Sequence, residues 1–358
     1  VGRRVTDVVR YGIIGSGMMG HEHIRNLALV EGAEVVAVSD PSPNSRWWAQ
    51  QLVDHELDEY EDHRDLLKSA KVDAVVIASP NHTHRDVLAD VFETDKHVLC
   101  EKPLCTTIED ARRVADRAAN HRGVFWVGME YRYMAPIARL LDEVRGGTIG
   151  RLRMLAIREH RYPFLPKVGD WNRFSENTGG TFVEKCCHFF DLMRLITAAE
   201  PVRVYASGAQ DVNHLDERYE GRTPDILDNG FVTVDFEGGI RALLDLCMFA
   251  EASRNEQEIA ATGDLGKVEC FIPESTLVVG KREGRDIRTE TIGTDASVLA
   301  AGAHHGSTFV EHTEFRRAIV EGGPAAVSAE DGLRAVAIGA AAEQSIETGQ
   351  PVEVAALL

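Results

Sequence analysis

Three groups of residues have the types and spacing that chemistry requires. The first is Gly15-Ser16-Gly17-Met18-Met19-Gly20, followed twenty residues later by Asp40. Gly15 permits a tight turn, Gly17 leaves room for a pyrophosphate to approach backbone N–H groups, and Gly20 lets a helix pack closely on a strand. Met18 and Met19 open that helix. A carboxylate at position 40 accepts hydrogen bonds from ribose hydroxyls and repels a 2′-phosphate, which predicts NAD rather than NADP. Arg46 reads as a solvated helix residue, with contact to an added phosphate as the alternative.

The second group is Glu101-Lys102-Pro103. Lys102 can donate hydrogen bonds to a reacting hydroxyl or carbonyl, and its charge stabilises an alkoxide as hydride leaves or arrives. Pro103 restricts Lys102 to extended conformations. A surface salt bridge from Glu101 is the plainer alternative. The third group lies in residues 177–196, where Glu184, His188 and Asp191 at i, i+4 and i+7 share one face of a helix. His188 titrates near neutrality and can take a hydroxyl proton, while Glu184 orients it or relays that proton. The competing reading is a packed histidine capped by Asp191.

Composition narrows the partners. The formal charge of −18 repels nucleic acid and anionic membranes, which leaves small molecules. Within it, residues 151–185 carry seven Lys/Arg (Arg151, Arg153, Arg158, Arg161, Lys167, Arg173, Lys185) against four Asp/Glu. That reversal suggests an anionic group on the substrate, although Arg151, Arg153 and Arg158 can equally decorate a strand. The six cysteines form no Cys-x-x-Cys spacing and read as reduced, mostly buried thiols. Cys186, Cys187 and His188 are adjacent, and neighbours on a helix point about 100° apart, so no metal site is expected. No apolar stretch is long enough to cross a bilayer, and residues 1–7 run into the first strand without a signal-peptide core, which predicts a cytoplasmic protein.

The elements that must position these groups follow from periodicity. Candidate strands at 8–14, 34–39, 74–78, 97–100 and 124–128 alternate with helical stretches at 21–30, 44–53, 63–68, 85–93 and 107–120. This predicts a parallel, doubly wound sheet with its ligands at the carboxyl ends of the strands, where Ser79-Pro80-Asn81 and Glu101-Lys102-Pro103 fall. After a helix near 136–144, strand-like runs joined by short turns predict an α/β domain with a large, open, mostly antiparallel sheet. Helices can cover one face of that sheet and a second subunit the other, which predicts a homo-oligomer, a dimer or tetramer. The expected domains are 1–128 and 129–358 of the 358 residues.

In combination, the glycine turn, Ala78-Ser79-Pro80-Asn81 with His84, Glu101-Lys102-Pro103, Trp171 with Arg173, Gly179-Gly180, His188 with Asp191, and Ser328-Ala329-Glu330-Asp331-Gly332 through Ser345 to Gly349 resemble the Gfo/Idh/MocA oxidoreductases. The resemblance implies a Rossmann domain followed by an α/β domain whose open sheet commonly forms the oligomer interface. It implies that Lys102 and His188 are the catalytic pair, and that Pro80, Asn81, Glu101, Trp171 and Arg173 surround the nicotinamide half of NAD, with Ser79 and His84 in the same motif. Two departures stand out. Glu184 replaces the aspartate common four residues before the histidine and is followed by Lys185, and Glu130-Tyr131-Arg132-Tyr133 replaces an asparagine-arginine style of segment. Tyr131 or Tyr133 then supplies a further acid or base at the substrate, or packs in the core.

Three functions compete. The leading one is NAD-dependent oxidation of a secondary hydroxyl of a sugar or cyclitol. The second is a redox-neutral, NAD-dependent glycosidase: C3 is oxidised transiently, the aglycone is eliminated, water adds, and the ketone is reduced again. Arg173 and Lys185 fit an acidic sugar such as a sulfoquinovoside in that case. The third is a non-catalytic sensor of dinucleotide and sugar.

Overall fold

The computed structural model describes residues 8–358. The reading made above for residues 1–7 lies outside them. The first sheet contains β1 (Val9–Ile14), β2 (Ala33–Ser39), β3 (Asp58–Tyr60), β4 (Ala74–Ile77), β5 (His97–Glu101) and β6 (Phe125–Gly128). Its spatial order is β3-β2-β1-β4-β5-β6 and every pairing is parallel. The crossovers carry α1 (Met18–Leu27), α2 (Pro43–Gln50), α3 (His63–Leu67), α4 (His84–Val91) and α5 (Ile108–Ala118). Strand order reverses direction between β1 and β4, so the loops after these two strands flank the crevice where such sheets take their ligands. Local chemistry starts the helices on time: Pro43 follows the Ser42 cap of α2, and Thr107 caps α5 by accepting from the Asp110 N–H.

The remaining elements are α6 (Ala135–Arg145), β7 (Leu152–His160), α7 (Ser175–Thr178), α8 (Thr181–Glu184), α9 (Cys187–Thr197), β8 (Pro201–Ala209), β9 (Asn229–Phe236), β10 (Ile240–Cys247), β11 (Gln257–Gly263), β12 (Gly266–Ile272), β13 (Thr276–Lys281), β14 (Ile287–Thr291), α10 (Ala296–Ala300), α11 (Ser307–Glu321), α12 (Ala329–Thr348) and β15 (Val352–Glu353). Nine strands form a sheet in the order β14-β13-β12-β11-β7-β10-β9-β8-β15. All its pairings are antiparallel except β7 with β10, which makes the sheet mixed. Buried and open positions alternate along β7, β8 and β9, as a half-covered sheet requires. On the covered face α6 packs against β12 and β13, and α9 against β7 and β10.

The chain divides into two compact units, and the division differs from the expected 1–128 and 129–358. Among the described residues, those up to Glu130 together with 295–333 form one, and 131–294 with 334–358 form the other. The return of 295–333 to the first unit has a packing cause. On α11, Phe315 is fully buried with its ring 6.3 Å from Tyr11 of β1 and 5.9 Å from Trp126 of β6. Burying one such side chain contributes about 2–3 kcal/mol. No helix among the described residues is long and apolar enough to cross a membrane.

Candidate active site

The turn after β1 is shaped by what cannot fit there. Gly15 has φ +89°, and a Cβ on it would lie 2.5 Å from the Ser79 backbone nitrogen; a Cβ on Gly20 would lie 2.2 Å from the Gly15 carbonyl oxygen. Gly17, by contrast, has nothing within 4 Å of where its Cβ would be, which leaves open space at the N-terminus of α1. No side chain caps this ten-residue helix. Its first N–H groups, from Met18, Met19 and Gly20, thus suit a bound pyrophosphate.

Asp40 braces the same turn. Its Oδ2 accepts from the Ser16 N–H at 2.9 Å and its Oδ1 from the Ser42 N–H at 2.8 Å. Arg46 is not a solvated residue: it donates to the Asp40 carbonyl oxygen and pairs with Glu59.

The loops after β4 and β5 are tied together by His84, which is fully buried and lies 3.1 Å from the Ser79 carbonyl and 2.9 Å from that of Pro103. Its part is to fix the loops that carry Ser79, Pro80, Asn81 and Lys102. Glu101 is buried, and it is not the surface salt bridge of the plainer reading. Burial would raise its pKa, but the hydrogen bond from His23 and the charge of Lys102 hold it well below the usual carboxylate range. Glu22 accepts from His304 at 2.6 Å in the same unit, and Glu130 lies 3.8 Å from the other His304 nitrogen.

In the second unit the polar groups gather around His188. Its imidazole stacks on the Tyr131 phenol with centroids 4.0 Å apart and planes 5° from parallel. Lys185 Nζ donates to Tyr131 Oη at 2.8 Å and pairs with Glu159 at 2.8 Å. Arg161 reaches the same Glu159 oxygen at 3.3 Å. Tyr131, Lys185, Glu159 and His188 are all buried, and Tyr133 is half-buried. Asp191 takes both forks of Arg132.

Two expectations about this region change. Glu184, His188 and Asp191 do not share one helix face: α8 ends at Glu184 and α9 begins at Cys187, with Lys185 and Cys186 as a turn between them. The excess of cations in 151–185 is offset by acids later in the chain. Arg153 pairs with Asp264, Arg158 with Glu258, Arg161 with Glu256 and Arg173 with Glu217, while Arg161 and Lys185 also share Glu159 within the segment. Arg173 is buried beside Asn172, at the end of a turn that holds Trp171, and its Nε donates to Glu217 at 2.9 Å. Sequence reasoning missed Glu159, although alternation along β7 puts it on the inward face with Leu155 and Ile157. It also missed His23 and His312, which nothing local marks.

Comparison with known proteins agrees with this geometry. The family model for the NAD-binding Rossmann fold of the Gfo/Idh/MocA oxidoreductases matches residues 9–129, and the model for their C-terminal alpha/beta domain matches 142–354. The chain belongs to the Gfo/Idh/MocA oxidoreductase family. As a Gfo/Idh/MocA protein it is an oxidoreductase whose cofactor is NAD, and the open turn at Gly17 fits that cofactor. Among Gfo/Idh/MocA relatives, the myo-inositol 2-dehydrogenase of Thermotoga maritima is 29% identical over 347 residues, 97% of this chain and 98% of that one. Inositol 2-dehydrogenase 1 of Saccharopolyspora erythraea is 30% identical over 355 residues, 97% and 96% of the two chains. The scyllo-inositol dehydrogenase of Lactobacillus casei, solved with NAD(H) and scyllo-inositol, superimposes with a TM-score of 0.79 at 25% identity, over 98% of this chain and all of that one.

Proposed function

We propose that the protein oxidises a secondary hydroxyl of an uncharged cyclitol or sugar. The observation that carries this reading is the buried polar cluster of Tyr131, Lys185 and His188, which offers a proton acceptor beside hydrogen-bonding groups suited to a polyol. NAD, when bound, supplies the hydride acceptor. Gly15, Gly17, Gly20 and the first N–H groups of α1 hold its pyrophosphate, Asp40 its ribose, and Ser79, Pro80, Asn81, Glu101, Trp171 and Arg173 its nicotinamide half. Lys102 stabilises negative charge on the hydroxyl oxygen, and His188 accepts the hydroxyl proton. Glu184 serves that proton from the end of α8, and Tyr131, Tyr133, Lys185 and Arg173 line the substrate. The names of the inositol dehydrogenase relatives support the substrate class.

The pairing of five of the seven cations with acids removes the premise for an anionic substrate, so the neutral reading is preferred to a glycosidase acting on an acidic sugar. One assay tests both. Purified protein is mixed with NAD and a panel of inositols, neutral and acidic sugars, and chromogenic glycosides. NADH that accumulates in proportion to an inositol or neutral sugar is the expected result. Aglycone release without net NADH overturns it in favour of the redox-neutral glycosidase.

We place the protein in the cytoplasm as a homo-oligomer. All six cysteines are free, which suits a reducing compartment. Met154, Tyr205 and Phe231 are exposed on the open face of the nine-stranded sheet, where a second copy would cover them. Light scattering of the purified protein measures the number of copies.

A further inference from the structure

A line of buried side chains runs away from Lys102 within the first unit, and the proposed reaction uses none of it beyond Glu101. Glu101 Oε2 accepts from the Lys102 backbone N–H at 3.1 Å, and Oε1 lies 2.9 Å from His23 Nε2. His23 Nδ1 in turn lies 2.8 Å from Nε2 of His312 on α11. Both imidazoles are fully buried. Their planes cross at 80°, so they meet through their nitrogens and do not stack. The far nitrogen, His312 Nδ1, is buried without a hydrogen-bond partner.

Hydrogen-bond bookkeeping assigns the protons. An ionised Glu101 only accepts, so His23 Nε2 carries a hydrogen. Neutral His23 then presents a lone pair at Nδ1, which His312 fills with its own Nε2–H. That leaves His312 Nδ1 without a hydrogen, in keeping with the lack of an acceptor there. A cationic His23 donating from both nitrogens would force an N–H onto His312 Nδ1 with nothing to receive it, at the cost of an unsatisfied buried donor. Burial also drives His312 strongly toward the neutral form. The other titratable groups facing this line are Lys102 and His304 beside Glu101, Glu22 and Glu130 around His304, and Tyr11 beside His312.

We propose that His312, acting through His23, is a positioning residue that fixes the Glu101 carboxylate and with it the Lys102 backbone at the reacting hydroxyl. This rests on the reading in which Lys102 stabilises charge on that oxygen. His312 fixes the tautomer of His23, so a donor at 312 matters more than an imidazole.

The test uses the full chain. Nitrogen-15 spectra of labelled histidines should show both rings of the pair as neutral Nε2–H tautomers at neutral pH. His312→Gln keeps an N–H donor, and its kcat should stay within about threefold of the parent. His312→Leu removes the donor, and its kcat should fall about tenfold with KM and NAD affinity little changed. A cationic or Nδ1–H ring in the spectra overturns the proposal, as does equal loss in the glutamine and leucine variants, or a folded leucine variant with parental kcat. If the parent oxidises no polyol, the spectra still decide the proton arrangement, so failure of the reaction reading is seen separately.

Discussion

The phenol of Tyr131 lies flat on the imidazole of His188, 4.0 Å away and within 5° of parallel, and Lys185 holds the phenol in place through its oxygen. The proposed base thus has its plane fixed by a neighbour that is itself anchored. Tyr131→Phe keeps the stack and loses the anchor, whereas Tyr131→Leu loses both. The phenylalanine variant should lose about tenfold in kcat/KM and the leucine variant more, with NAD affinity unchanged in each; steady-state kinetics and NAD titration check both.

Lys185 is a buried cation whose acidic partner, Glu159, is fully buried. Removing Glu159 leaves Lys185 uncompensated, whereas Arg161, which also reaches Glu159, keeps Glu256. Glu159→Leu should cost about 3–5 kcal/mol in denaturant unfolding, and Lys185→Met combined with Glu159→Leu should cost less than the sum of the two singles. Strict additivity would show that the pair is not coupled.

The two central glycines of the first turn should fail differently. Gly15→Ala meets backbone at 2.5 Å in a left-handed conformation, so it should lower thermal stability as well as NAD affinity. Gly17→Ala meets only open space, so its unfolding free energy should stay within about 0.5 kcal/mol of the parent while NAD affinity drops at least tenfold. Calorimetric unfolding and NAD titration separate the cases.

Acid should loosen the loop that Glu217 anchors. Burial raises this carboxyl's pKa, but hydrogen bonds from His214, Tyr219 and Arg173 outweigh it and hold the pKa at about 2 against an ordinary 4.5. The unfolded chain therefore takes up the proton first, and the contribution of Glu217 is complete above pH 4.5 and lost as pH falls toward about 2. Glu217→Gln should flatten the fall in stability over that window, measured by denaturant midpoints at successive pH values.

What could be read from the sequence was whatever depends on near neighbours. The glycine turn, Asp40, five of the six strands of the first sheet and the alternation in the second all rest on contacts or periodicities of a few residues, and the structure places those five strands within a residue or two of expectation. The three-residue β3 (Asp58–Tyr60) escaped because it is too short and polar to show a period. The break between Glu184 and Cys187 escaped because no glycine or proline marks it. The cation excess of 151–185 misled because its compensating acids, Glu217, Glu256, Glu258 and Asp264, come later in the chain. His23 and His312 meet across 289 residues, a distance over which composition and periodicity carry no information.

The return of residues 295–333 to the first unit bears on how the protein is made. A ribosome releases the six-stranded sheet long before it releases α11, so Tyr11 and Trp126 wait for Phe315 while the whole nine-stranded sheet is synthesised. The nascent dinucleotide-binding half is therefore an unfinished object with an aromatic seam open to solvent or to a chaperone. A chain cut after residue 294 would keep every glycine of its phosphate turn and still lack part of its own core.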